Sequence, residues 1–197
     1  MTTTTGHIKD RAALIIDDKQ VKTLSYTDKQ ISEDLSSDVF TKSGNEHTLD
    51  LLVENGGRIN GGQGMNTERK GISDDILVDD EVHNNWEIFP LDFKPDFVNK
   101  LKTEKWRPIE TYKSPALYRA ALEIKDNPSD TYLKLDDWHT SVVFVNGFNL
   151  GRYWNVGPAK TMYVPAPVLK KGENEIYIFE TYGPGNHIEF VDKPTLG

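Results

Sequence analysis

Carboxylates are the most numerous groups in this chain that could do acid–base chemistry, with 31 Asp and Glu against 23 Lys and Arg in 197 residues. Four adjacent pairs stand out: Asp17-Asp18, Asp74-Asp75, Asp79-Asp80 and Asp136-Asp137. Each lies at the end of an apolar run, where aspartate favours turns by bonding its own backbone, so all four are expected to be solvated turn residues. None has an evident acid/base partner. The five histidines (His7, His47, His83, His139 and His187) lack the H-x-x-x-H or comparable spacing of a metal site. His139, beside Trp138, is expected to be structural. The absence of cysteine removes thiolate nucleophiles, disulfides and sulfur-based zinc sites. No G-x-S-x-G turn offers a serine nucleophile. The glycine-rich stretch E-N-G-G-R-I-N-G-G-Q-G-M-N (Glu54–Asn66) lacks a GK[ST] ending and precedes no helix, so it is not a phosphate cradle.

Sugar recognition is a candidate for what remains, with a structural role favoured at Tyr153 and Trp154. A pyranose face is apolar C–H surface that an aromatic ring can cover, and its hydroxyls need neighbouring donors and acceptors. Asn55, Arg58 and Asn60, in the glycine-rich loop, could bond a sugar hydroxyl or a neighbouring domain; organising the loop itself is the favoured role. The stretch V-N-G-F-N-L-G-R-Y-W-N-V-G-P (Val145–Pro158) ends a hairpin with Arg152, Tyr153 and Trp154, a second candidate contact set. Trp86, Trp106, Trp138 and Trp154 could each stack on a sugar or anchor a core. Trp86 reads as core or interface, and Trp106 as packing between modules.

The elements that must position these residues are mostly strands. Short β-branched and aromatic runs recur between turn signals: Ala12–Ile16, Thr48–Val53, Asp75–Val78, Leu117–Ile124, Thr131–Leu135, Ser141–Val145, Thr161–Val164 and Glu175–Glu180. They predict an all-β protein of sandwich or jelly-roll type. One helix is expected, over Phe97–Lys105, with Asp96 as N-cap and Phe97 and Leu101 on one face. The plan of strand, two-residue turn, short strand, loop, Lys-x-Gly and strand occurs twice. The interval from Asp17 to Gly44 equals that from Asn146 to Gly172 to within one residue, which predicts two copies of one β-module. The boundary is placed after a W-E-I-F-P-L strand, dividing the chain into modules at 1–93 and 94–197.

A formal charge of −8 argues against nucleic acid and anionic membranes as partners. The N-terminus has no basic region followed by an apolar stretch, so no signal peptide is read there, and no run reaches transmembrane length. With no cysteine, a cytoplasmic location is the default expectation.

The stretch from Val145 to Glu180 closely resembles the C-terminal segment of bacterial β-galactosidases of glycoside hydrolase family 35. L-D-L-L-V-E-N-G-G-R-I-N, R-K-G-I and W-E-I-F-P-L resemble the preceding β-domain, and the likeness runs from about Asp10 to Tyr182. In that family a catalytic (β/α)₈ barrel is followed by galactose-binding-like jelly rolls. Retaining hydrolysis needs two carboxyl groups roughly 5–5.5 Å apart, carried there by a barrel of about 250 residues. The resemblance therefore implies two galactose-binding-like β-sandwich modules without catalytic residues, the first lacking early strands. It implies no cofactor beyond a structural Ca²⁺ as a side possibility. The implied partners are the catalytic barrel, galactosides and other subunits of the parent enzyme. A stand-alone carbohydrate-binding module and a split-gene subunit completing a separate barrel are the alternatives.

Overall fold

The computed structural model describes residues 2–5, 7–27, 31–35, 37–42, 44, 46–109 and 115–197. The chain forms two compact units, Met1–Phe89 and Pro90–Gly197. The architecture is nearly all β, as the strand-rich pattern predicts.

Among the described residues the first unit contains the strands β1 (Thr2–Thr5), β2 (Ile8–Lys9), β3 (Arg11–Ile16), β4 (Lys19–Ser25), β5 (Ile31–Asp34), β6 (Leu49–Glu54), β7 (Gly71–Ile72), β8 (Ile76–Val78) and β9 (Glu81–Val82). They form antiparallel sheets in the orders β5-β1-β8-β9, β2-β7 and β4-β3-β6. β3, R-A-A-L-I-I, is apolar after Arg11 and lies centrally between two partners. Ala12 and Leu14 pack with Ile8 and Leu24, while Ile16 joins a second cluster with Leu35 and Val39.

The second unit begins with helix α1 (Pro95–Leu101). It continues through β10 (Ala116–Ile124), β11 (Thr131–Lys134), β12 (Thr140–Val145), β13 (Phe148–Trp154), β14 (Thr161–Val164), β15 (Gly172–Glu180) and β16 (Glu189–Val191). Sheet β10-β15-β12-β13 packs on sheet β14-β11-β16. The two-residue period of the strands assigns each side chain to a face. Val143, Val145, Ile176 and Ile178 point into the sandwich with Leu133, Trp138 and Val164. Phe144 and Tyr177 point the other way, where Val98 and Leu101 of α1, with Phe93 and Trp106, cover them. Trp106 thus packs within the second unit, 5.6 Å from Tyr177.

Two expectations need correction. The helix starts and ends earlier than Phe97–Lys105. Pro95, which needs no N–H partner, occupies the first turn after an extended Lys94, so Asp96 is inside the helix rather than capping it. Its buried residues are Val98 and Leu101. The helix stops where Thr103 donates its hydroxyl to the Lys100 carbonyl, at 2.8 Å. The W-E-I-F-P-L run, in turn, is not a strand. Pro90 has no N–H to give a ladder, and Asn85 and Phe93 take positive φ of 63° and 48° on either side. Ile88 and Phe89 remain 86% and 78% exposed.

Candidate functional site

The β3–β4 and β12–β13 hairpins have the same construction, and comparing them identifies the buried polar groups of each unit. Asp17-Asp18 (φ 46° and 69°) and Asn146-Gly147 (φ 49° and 84°) form two-residue turns in the left-handed region that a hairpin requires. In both hairpins the register shifts at the same distance before the turn, between Leu14 and Ile15 and between Val143 and Phe144. In both, the first turn residue clamps the start of a third strand. Asp17 N–H donates to Thr48 O (3.1 Å), and Asp17 Oδ1 accepts the Thr48 N–H (3.0 Å). Asn146 N–H donates to Glu175 O (2.8 Å), and Asn146 Oδ1 accepts the Glu175 N–H (3.0 Å). The amide of Asn146 also donates to Val168 O and Asn174 Oδ1.

Asp17 is therefore not the solvated residue its turn position suggested: its side chain is fully buried, while Asp18 is exposed. Asp17 Oδ2 accepts the Lys42 N–H at 3.2 Å and lies 2.7 Å from His47 Nδ1. Burial pushes its pKa up, but the Thr48 N–H, the His47 ring and the Lys42 N–H outweigh it and hold the carboxyl far below the usual range. A carboxyl depressed in this way stabilises the fold above its unfolded value of 3.8, and that contribution is lost as pH falls through the folded value. Asp17→Asn is expected to lower the first unit's thermal midpoint at neutral pH, with the gap from wild type closing below about pH 4. Calorimetry across a pH series checks both the sign and the window.

The second unit buries Glu180 completely. Its Oε1 accepts the N–H groups of Thr140 (3.2 Å), Thr181 (3.0 Å) and Tyr182 (2.8 Å). Its Oε2 accepts the His139 N–H (3.1 Å) and the Ser141 hydroxyl (2.6 Å). A carboxylate saturated by five donors, four of them backbone, joins the ends of β12 and β15. It has no lone pair directed at a substrate, so it acts as a fastener and not as an acid or base.

The sequence-derived contact sets belong to different units. Asn55, Arg58 and Asn60 all lie exposed in the loop after β6. Asn55 Oδ1 accepts the Gly57 N–H (2.9 Å), and Asp10 ties the same loop by accepting the Gly56 N–H (2.7 Å) and pairing with Lys70 (2.6 Å). On β13, Arg152 and Trp154 share the outer face, but Tyr153 turns inward and is only 3% exposed. The three cannot form one surface, because alternate strand residues face opposite ways. Trp154 is half exposed, and the Arg152 guanidinium lies 5.9 Å from its ring centroid.

A recess of about 200 Å³ lies beside β10, walled by Ile109, Tyr118, Ala120, Trp138 and Ile178. Its polar neighbours are engaged elsewhere, Asn186 with Asp137 (3.1 Å) and Arg119 with Glu175 (2.9 Å). The Tyr118 hydroxyl is buried with no hydrogen-bond partner among the described residues, and burial, with the charge of Glu180, pushes its pKa up to about 12. Among the described residues no group of three His, Asp or Glu side chains is placed to hold a metal, so none is assigned to the Ca²⁺ considered above. No helix among them is long and apolar enough to cross a membrane.

Residues 1–92 match the family model of the first all-beta domain of β-galactosidase, and residues 115–174 match that of the β-galactosidase galactose-binding domain. Over 193 residues the chain is 37% identical to Beta-galactosidase-1-like protein 2 of Homo sapiens, covering 98% of this chain and 29% of that protein. It is 30% identical over 203 residues to Beta-galactosidase 1 of Dictyostelium discoideum, covering 95% and 30%. It is 35% identical over 160 residues to a β-galactosidase of Xanthomonas manihotis, covering 81% and 25%. The chain thus spans less than a third of the length of these curated relatives. They come from human, a slime mould and a bacterium, so the narrower expectation of a bacterial enzyme is not supported. The two units thus carry glycoside hydrolase family domains, the first all-β domain and the galactose-binding domain of the β-galactosidases.

Proposed function

We propose that this chain is a non-catalytic β-region of a β-galactosidase-like protein, which packs against the catalytic domain and shapes access of galactosides to it. The observation that carries this reading is the state of the two buried carboxylates. Asp17 and Glu180 are each held by several donors within their own unit, as fasteners are and as hydrolytic acid/base pairs are not. The catalytic barrel is the partner this reading requires, and contacts between subunits of the parent protein would follow from it. The residues assigned to domain contact are Asn55, Arg58 and Asn60, whose loop is tethered at Asp10 but leaves their side chains outward.

A second reading, a carbohydrate-binding module, is favoured by Trp154, which stands half exposed with Arg152 on the edge strand β13. Calorimetric titration of the chain with galactose, lactose and a β-1,3-galactoside separates the two. The packing reading expects no saturable heat at millimolar sugar and no difference between wild type and Trp154→Ala. Saturable heat that Trp154→Ala abolishes would replace it with the binding reading.

A further inference from the structure

The chain contains three Asn-Gly pairs, Asn55-Gly56, Asn60-Gly61 and Asn146-Gly147, and the structure treats them differently. We propose that Asn60 is a site of spontaneous deamidation, converting to aspartate and isoaspartate in the folded protein while Asn55 and Asn146 are protected. This goes beyond the domain-contact reading and does not depend on it.

The step needs only water. The backbone nitrogen of the following residue attacks the asparagine side-chain carbonyl carbon, a C–N bond forms, and the side-chain amide leaves as ammonia. Water then opens the cyclic imide at either carbonyl, leaving a new carboxylate in place of the amide. Glycine in the second position favours attack, because without a Cβ its nitrogen is unhindered and its backbone can reach the cyclising geometry. All three pairs satisfy that requirement in sequence, so the folded environment decides between them.

At Asn146 both participants are held. Its amide nitrogen donates to Val168 O (2.8 Å) and Asn174 Oδ1 (2.7 Å), its Oδ1 accepts the Glu175 N–H, and the turn is fixed between β12 and β13. At Asn55 the attacking nitrogen is occupied, since the Gly56 N–H donates to Asp10 Oδ2 at 2.7 Å. The side-chain oxygen of Asn55 is also occupied, by the Gly57 N–H at 2.9 Å. Asn60 has neither restraint: it is exposed, its side chain makes no hydrogen bond among the described residues, and the Gly61 N–H has no backbone or side-chain acceptor there. A Cβ built on Gly61 would meet nothing within 4 Å, so space for the cyclic imide is present. The product would place a carboxylate two residues from Arg58 on an outward loop.

Each net hydrogen bond that must break first slows the step by roughly two- to tenfold. Two such bonds at Asn55 and more at Asn146 therefore predict conversion at Asn60 at least about fourfold faster than at either. The test is to age the intact chain in mildly alkaline buffer at body temperature, digest with trypsin and follow the amide-to-acid mass gain. The three pairs fall in separate tryptic peptides, because Arg58 separates Asn55 from Asn60 and Lys134 precedes Asn146. The same ageing in concentrated urea supplies the control, in which the three rates should converge. Asn60→Gln should abolish the gain in its peptide. Equal rates at the three sites in the folded chain, or faster conversion at Asn55 or Asn146, would overturn the proposal.

Discussion

Glu180→Ala is expected to lower the thermal midpoint of the second unit by more than about 12 °C. The substitution strands five donors at once: the N–H groups of His139, Thr140, Thr181 and Tyr182, and the Ser141 hydroxyl. A buried donor left without an acceptor costs about 1–3 kcal/mol. Ser141 can turn its hydroxyl elsewhere and Tyr182 can recruit water, so only part of that sum is realised, and a loss of at least about 3 kcal/mol is the conservative figure. Glu180→Gln should be milder. Placed at Oε2, its NH₂ can donate to the Ser141 oxygen, while its carbonyl still accepts the three N–H groups at Oε1; only the His139 N–H then faces a donor. Differential scanning calorimetry should rank the variants as wild type, Gln, Ala. Indistinguishable midpoints would show that the strand ends are joined by something else.

Trp138→Ala is the second large effect, about 3–5 kcal/mol in the same unit. Trp138 is only 3% exposed, meets Tyr118 edge to face with centroids 5.2 Å apart, and donates its Nε1–H to His187 O at 2.9 Å. The chain at Gly185 lies so close to the indole that a Cβ there would come within 2.5 Å of its Cδ1 and Nε1. Removing the ring opens a cavity next to the existing recess and frees the segment from Gly185 to His187. Trp138→Phe keeps most of the buried area and loses chiefly the hydrogen bond, so it should cost about 1 kcal/mol from that bond and less than alanine overall. Urea melts of the three proteins read the difference directly. Alanine no worse than phenylalanine would contradict the role given to the indole.

Much of the fold was legible because it rests on local patterns. The alternation in T-S-V-V-F-V assigns Val143 and Val145 to one face and Phe144 to the other whatever they pack against. Asn146-Gly147 reverses the chain for a reason internal to two residues. The polar interior was not legible for the opposite reason. Asp17 and Asp18 have the same side chain and the same left-handed backbone, and only the return of Thr48 and His47, some thirty residues later, buries one and leaves the other in water. Glu180 likewise reads as the polar end of a strand, because its donors arrive from His139–Ser141 and from the two residues after it.

Where the candidate contact residues lie follows similar rules. Arg152, Tyr153 and Trp154 are consecutive on a strand, so the two-residue period alone separates Tyr153 from its neighbours; that signal was present in the sequence once the strand was drawn through them. The glycine-rich loop could be recognised as a loop, but not the tether from Asp10 that leaves Asn60 outward, since Asp10 lies more than forty residues upstream. The W-E-I-F-P-L run shows the converse error, in which an apolar composition was read as a strand although Pro90 breaks the ladder.

The central claim is that this chain is a β-region that does not itself cut galactosides. Incubating the purified chain with a chromogenic β-galactoside, at high protein concentration and over long times, tests it most directly. The account predicts release of chromophore no faster than in buffer, and no change in that rate in Asp17→Asn or Glu180→Gln. Hydrolysis above the buffer rate that co-purifies with the chain, and is lost on substituting one of its own carboxylates, would contradict it.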